Sequence, residues 1–137
     1  MADGGLRGSC LCGKVTYRTT GRVQRFNLCH CDMCRKATGG AFGPMVRVMK
    51  SDFEFLAGQD AIQTYQSSPG VSRTFCKHCG ATLQWMRDDG DALGFTAGTL
   101  DTDLEVTPTA QIFCGESPDW HQLREDVERF DLYPGAT

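Results

Sequence analysis

The sequence predicts a mainly β domain built from small antiparallel sheets with little helix. Short runs in which β-branched and aromatic residues alternate with polar ones give the period of half-buried strands. Glycine, proline and aspartate clusters punctuate those runs at close intervals. The cysteines gather in tight groups, a way of cross-linking a small fold through metal ions rather than through helices.

In chain order, the alternation predicts strands at Lys14 to Arg18, Val23 to Leu28, Ala41 to Met49 and Phe53 to Leu56. It continues at Ala61 to Gln66, Ser72 to Phe75, Ala81 to Arg87 and Ala92 to Ala97. Gly58, Pro69-Gly70, Gly80 and Asp89-Gly90-Asp91 supply the turns between them. Helix is expected in two places only. A brief turn runs from Cys34 through Ala37, and a longer stretch follows Pro118 and a cap at Asp119. There Trp120, Leu123, Val127 and Phe130 recur at helical spacing, and the apolar stripe they form is read as core packing.

The composition is that of one folded unit over residues 1–137: 40% hydrophobic and 23% charged, with 14 Lys+Arg against 17 Asp+Glu. That size supports one core, and halving it would leave two marginal ones. The net charge of -3 offers no basic field for phosphate backbones or anionic lipid, so nucleic acid is not an expected partner. No apolar run approaches the roughly 20 residues that cross a bilayer, and Met1 to Gly8 lacks the apolar core of a secretory signal. A cytoplasmic location and no membrane partner are therefore expected.

Eight cysteines are many for a chain kept in a reducing compartment, and seven of them are clustered. Cys10 and Cys12 form a C-x-C, Cys29, Cys31 and Cys34 a C-x-C-x-x-C, and Cys76 and Cys79 a C-x-x-C, with Cys114 alone. Neighbours this close bond each other only under strain, whereas the spacing lets a turn point two thiolates at one ion. Zinc suits all-thiolate donors and brings no redox chemistry; an iron-sulfur cluster is the competing reading. Redox-active C-x-x-C thiols would need a βαβ context that the sequence lacks.

Cys10-Leu11-Cys12-Gly13 and Cys76-Lys77-His78-Cys79-Gly80 share a Cys-Gly ending, in which glycine takes the positive φ that closes a metal knuckle. Together the two pairs make one closed four-thiolate site joining the N-terminal segment to the middle of the chain. Cys29, Cys31 and Cys34 leave a second ion one ligand short. Spacing leaves two readings open: a catalytic site whose last position takes water or a substrate thiol, or a closed site completed by His30, His78, His121 or Cys114. Between two ligands, the His30 side chain is expected to point away from their ion.

Four ordered motifs carry a resemblance. Gly8-Ser9-Cys10-Leu11-Cys12-Gly13-Lys14-Val15, Cys29-His30-Cys31-Asp32-Met33-Cys34-Arg35-Lys36-Ala37-Thr38-Gly39 and Phe75-Cys76-Lys77-His78-Cys79-Gly80, followed by Ala97-Gly98-Thr99-Leu100-Asp101, resemble the glutathione-dependent formaldehyde-activating enzyme family, which includes centromere protein V. The likeness runs from about Gly8 to Pro134. It implies a β-tent fold around two zinc ions per chain. By the same resemblance Cys10, Cys12, Cys76 and Cys79 correspond to structural zinc ligands, and Cys29, Cys31 and Cys34 to catalytic ones. The implied chemistry is carbon-sulfur lyase activity, joining a thiol such as glutathione to an aldehyde such as formaldehyde. The alternative is a zinc-stapled binding module without turnover.

For that reaction, backbone N–H groups at Gly39-Gly40 are candidate oxyanion donors. Arg35, Lys36, Arg47 and Arg73 are candidates for the carboxylates of glutathione, each weighed against the favoured reading of a solvated charge; Phe42 and Phe95 could wall the pocket, but core packing is the favoured reading for both. Gln111 stands where the family often has histidine, which removes any proton-transfer or ligand role such a histidine would have.

Overall fold

The computed structural model describes residues 5–135. Ten strands and one α-helix are found among them: β1 Leu6–Ser9, β2 Thr16–Thr19, β3 Arg25–Cys29, α1 Asp32–Thr38, β4 Gly43–Met49, β5 Phe53–Ala57, β6 Ile62–Ser68, β7 Val71–Cys76, β8 Thr82–Arg87, β9 Ala92–Thr96 and β10 Ala110–Ile112. All eight predicted strands are present within a few residues. The fold is mainly β, as the alternation predicts.

The strands form two sheets. One has three antiparallel strands in the order β1-β2-β5; the other has seven, in the order β10-β3-β4-β9-β8-β7-β6. The pairs are antiparallel except β10 with β3, which run parallel in the register Ala110 to Asn27 and Ile112 to Cys29. Neither β1 nor β10 was anticipated. β10 spans three residues, too few for a period-2 pattern to register, and β1, Leu6-Arg7-Gly8-Ser9, carries a single large apolar side chain and so shows no alternation.

The main core lies between the sheets, where Leu6 and Tyr17 meet Val46, Val48, Leu93 and Phe95. The Tyr17 ring stacks on Phe53 at 4.8 Å and meets Phe95 edge-on at 5.5 Å. Its hydroxyl reaches the Thr99 hydroxyl at 2.7 Å, so the one polar atom of a buried ring is satisfied. A smaller cluster of Val15, Ala61 and Leu83 packs around Cys10 and Cys76. Successive strand residues point to opposite faces, so the seven-stranded sheet spends one face on the core and leaves the other free.

Residues 119–130 are not helical, which corrects the expectation drawn from Trp120, Leu123, Val127 and Phe130. Trp120 is 68% exposed, and of the four only Val127 is buried. The segment's backbone is engaged elsewhere. Gln111, fully buried in β10, donates its side-chain amide to the carbonyls of Arg124 (2.9 Å) and Val127 (3.0 Å) and accepts from the Arg124 N–H (2.8 Å). Its backbone bonds Glu128 and Phe130 in the same stretch. A helix would need those same groups for itself.

Candidate metal centres and cleft

Two knuckles of matching construction carry the four-thiol cluster. In each, the first cysteine bonds the residue five positions on (Cys10 N–H to Val15 O, Cys76 N–H to Ala81 O, both 3.0 Å). The closing glycine then bonds back to that cysteine's carbonyl, Gly13 to Cys10 and Gly80 to Cys76. Gly13 and Gly80 both sit at φ +79, the left-handed conformation predicted from the Cys-Gly endings. The folded chain brings Cys10, Cys12, Cys76 and Cys79 together, every Sγ within 4.8 Å of the others.

The donor geometry fits a tetrahedral ion. A Zn–S bond of about 2.3 Å places neighbouring sulfurs about 3.8 Å apart, and Cys10 to Cys12 measures 3.6 Å and Cys12 to Cys76 3.9 Å. Amides support the sulfurs from outside: Val15 N–H donates to Cys10 Sγ at 3.2 Å. The N–H groups of Ala81 and Cys12 lead the causes that hold the Cys79 thiol down to about 6.

The second cluster lies where β3 runs into α1. Cys29 is the last residue of β3, Cys31 is the helix cap, and Cys34 sits one turn along α1, with all three Sγ atoms within 4.8 Å. Cys31 Sγ accepts the Cys34 N–H at 3.3 Å, so one thiol serves as helix cap and stands among the candidate ligands. Gly43, paired with Cys29 across the strands, admits α1 this close: a Cβ there would stand 3.2 Å from Cys34 Cβ. Hydrogen bonds from Cys29, then Cys34, with the charge of Arg73 behind them, draw the Cys31 thiol down to about 2. The same sharing pushes Cys29 upward. Three thiols so close hold one negative charge readily and three only around a cation.

Among the described residues, none of the four suggested completing ligands joins this cluster. His30 is fully buried and faces away from the ion position, as expected. It stacks on His121 at 5.4 Å and packs on Phe42 at 5.3 Å, with Nδ1 donating to Ile112 O at 3.3 Å. Burial holds its imidazole below the usual range, and Nε2 has no partner among the described residues. Cys114 donates to Gln111 O at 3.4 Å, and His78 lies exposed beside the other cluster.

The free face of the seven-stranded sheet floors a cleft of about 610 Å³, with the three thiols in its wall. A single cross-strand row runs along that floor from β7 to β3: Arg73, Trp85, Gly94, Arg47 and Arg25. Arg25 and Arg47 are register partners, an arrangement of like charges that costs stability in the empty fold. Arg87 adds a fourth guanidinium. Among the described residues none of the four pairs with a carboxylate.

The structure separates the candidate residues. Gly39 N–H caps α1 by donating to Arg35 O at 2.7 Å, and neither Gly39 nor Gly40 lines the cleft, so they are not its oxyanion donors. Arg35 turns back to His30 O, and Lys36 pairs with Asp32 in solvent. Phe95 lies in the core on the opposite face of the sheet, the packing reading favoured for it, and Phe42 packs on His30 and His121 rather than lining the cleft. Arg47 and Arg73 do line the cleft. Arg25, Arg87 and Trp85 were missed, though two share a sheet face with a residue already singled out: Arg25 with Cys29 on β3, and Trp85 across from Arg73, with Arg87 two residues further along the same face of β8.

Comparison with known proteins agrees with this architecture. The family model described as glutathione-dependent formaldehyde-activating enzyme matches residues 5–116. A Halomonas elongata protein, provisionally named a glutathione-dependent formaldehyde-activating enzyme, is 31% identical over 141 residues, covering 94% of this chain and 88% of its own. A Schizosaccharomyces pombe protein named only as an uncharacterized lyase is 26% identical over 126 residues, covering 91% and 90%. A crystal structure from Rhodobacter sphaeroides superposes with a TM-score of 0.59 at 23% identity, over 74% of this chain and 91% of that one, which shows a shared fold.

Proposed function

The chain belongs to the glutathione-dependent formaldehyde-activating enzyme family, and from that membership we propose that it is a zinc-dependent carbon-sulfur lyase acting on a thiol such as glutathione and an aldehyde. One observation carries the reading: a cluster one ligand short of four, Cys29, Cys31 and Cys34, opens onto a cleft floored by arginines that meet no carboxylate among the described residues. Zinc bound at those three thiols supplies a Lewis acid that keeps a substrate thiol ionised near neutral pH. The chain's own residues do the rest. Arg25, Arg47 and Arg87 attract the carboxylates of the thiol substrate, and the cleft walls fix the thiol beside Cys34.

Cys10, Cys12, Cys76 and Cys79 hold the second, structural zinc. The match of their sulfur separations to a tetrahedron supports that role. All eight cysteines are unpaired, which supports a reducing, cytoplasmic setting.

The test is zinc content per chain, then glutathione titration of cobalt-substituted protein, whose visible bands report thiolate coordination. Two ions and bands that shift with glutathione, but not in Cys31→Ser, are expected. Two ions blind to every thiol tried would refute the open site and leave the zinc-stapled binding module.

A further inference from the structure

Arg73 combines features that the binding of a distant carboxylate does not explain. It is 8% exposed, and no other Lys, Arg, Asp or Glu among the described residues is buried. Buried charges are paired, because leaving one uncompensated is costly. Arg73 has no carboxylate among the described residues. Its Nε donates to Ser67 Oγ at 3.1 Å and its Nη2 to Cys34 Sγ at 3.7 Å. The thiol cluster is therefore its counter-charge, and Arg25 and Arg47 stand across the cleft floor from it, beyond Trp85 and Gly94.

One part of the guanidinium remains free. Nη1 has no partner within the described protein, yet it is not among the enclosed unpartnered atoms. Arg73 lines both the large cleft and a smaller cavity of about 200 Å³ beneath the end of α1, where Ala37 and Thr82 meet. The guanidinium fork is planar and rigid, so fixing Nε and Nη2 fixes the direction of Nη1 as well. Three backbone donors near the trio are already engaged: Asp32 N–H with Glu116, Cys34 N–H with Cys31 Sγ and Arg35 N–H with Cys31 O.

We propose that Arg73 is the catalytic residue that receives the oxyanion when a thiolate held beside Cys34 adds to an aldehyde. This rests on the reading of the site as a thiol-aldehyde lyase. In the step, the sulfur lone pair forms the C–S bond and the C=O π pair moves onto oxygen. An Arg73 N–H donates to that oxygen, which then takes a proton from solvent, balancing the one the thiol released to solvent on ionising, to give the neutral hydroxyalkyl thioether. The reverse reaction breaks the same C–S bond with the charges returned. A donor held in place before reaction stabilises charge that exists only in the transition state, which raises kcat rather than affinity.

The experiment uses the zinc-loaded chain with glutathione and formaldehyde, reading adduct formation above the uncatalysed rate by exchange NMR. Arg73→Gln should lose about 100- to 1000-fold in kcat. Its cobalt-substituted form should keep the thiolate bands and bind glutathione within about threefold of wild type. Arg73→Lys should retain an intermediate rate, and added guanidinium ion should restore rate to Arg73→Ala while leaving wild type unchanged. A kcat for Arg73→Gln within about fivefold of wild type overturns the proposal, as does a loss that tracks disappearance of the cobalt bands. A wild-type chain that forms no adduct overturns the lyase reading and this proposal with it; an active wild type with an equally active Arg73→Gln overturns the proposal alone.

Discussion

Replacing Gln111 with methionine should detach the segment from Arg124 to Phe130 while leaving the sheets intact. Methionine keeps the volume and apolar stem but removes three hydrogen bonds, to Arg124 O, Val127 O and Arg124 N–H. Their environments set the magnitude. Val127 is buried, so its carbonyl would be left without water at a cost of about 2 kcal/mol, whereas exposed Arg124 rehydrates its two groups and adds about 1 kcal/mol. The expected loss of about 3 kcal/mol is a large share of the 5–15 kcal/mol that holds a domain together. Urea unfolding gives the total, and amide exchange locates it: N–H groups at Gln111 and Phe130, bonded to Glu128 and Gln111, should lose protection while β4 and β9 keep theirs. Gln111→Glu separates donor from acceptor effects. It still accepts from Arg124 N–H but sets an oxygen against two carbonyls, so it should cost more than methionine. A loss under about 1 kcal/mol for Gln111→Met, with exchange unchanged, would refute the claim that this side chain organises the segment.

Metal sites should separate by their effect on stability. Cys76→Ser should bring down the fold and release its ion, whereas Cys31→Ser should lower zinc from two to one per chain with the thermal transition moved by only a few degrees. Gly43→Val should act like Cys31→Ser without touching a thiol, because its side chain would displace Cys34; zinc content read beside circular dichroism checks this. Tyr17, buried, has its hydroxyl pushed up to about 12 against an ordinary value near 10. A raised folded pKa gives stability that is complete below the unfolded value, so the fold should weaken as pH rises from about 10 toward 12. Tyr17→Phe should remove that pH dependence and cost about 1 kcal/mol at neutral pH, measured by urea unfolding.

Most of the sheet scaffold could be read from the chain because burial on one face writes itself as alternation. Phe26, Leu28 and Val46, Val48 mark the inner face of β3 and β4 plainly. The metal clusters were legible for a different reason: two thiols one or two residues apart have few other uses. The C-terminal stripe misled because spacing of apolar residues says nothing about what else can satisfy the backbone, and one buried glutamine 13 to 16 residues away took those bonds. The cleft's arginines were half legible. Arg47 and Arg73 drew notice as charges near ligands, but Arg25 becomes a neighbour only through the cross-strand register with Arg47. The choice of Gly39-Gly40 as donors failed because a glycine pair at a helix end is first of all a cap.

The parallel pairing of β10 with β3 has a consequence for the order in which the protein is made. Cys29, Cys31 and Cys34 leave the ribosome some 80 residues ahead of Ile112, whose carbonyl accepts both the backbone N–H and the ring N–H of His30. Arg73, the charge nearest the trio, also comes later, as does the cysteine pair that closes the first cluster. During synthesis, then, three reactive sulfurs are displayed with neither their wall nor their counter-charge, exposed to oxidants and to any soft metal ion in reach. Correct metal loading is in this sense a matter of timing, and a cell short of zinc should accumulate chains oxidised at this loop before it accumulates chains that fail to fold.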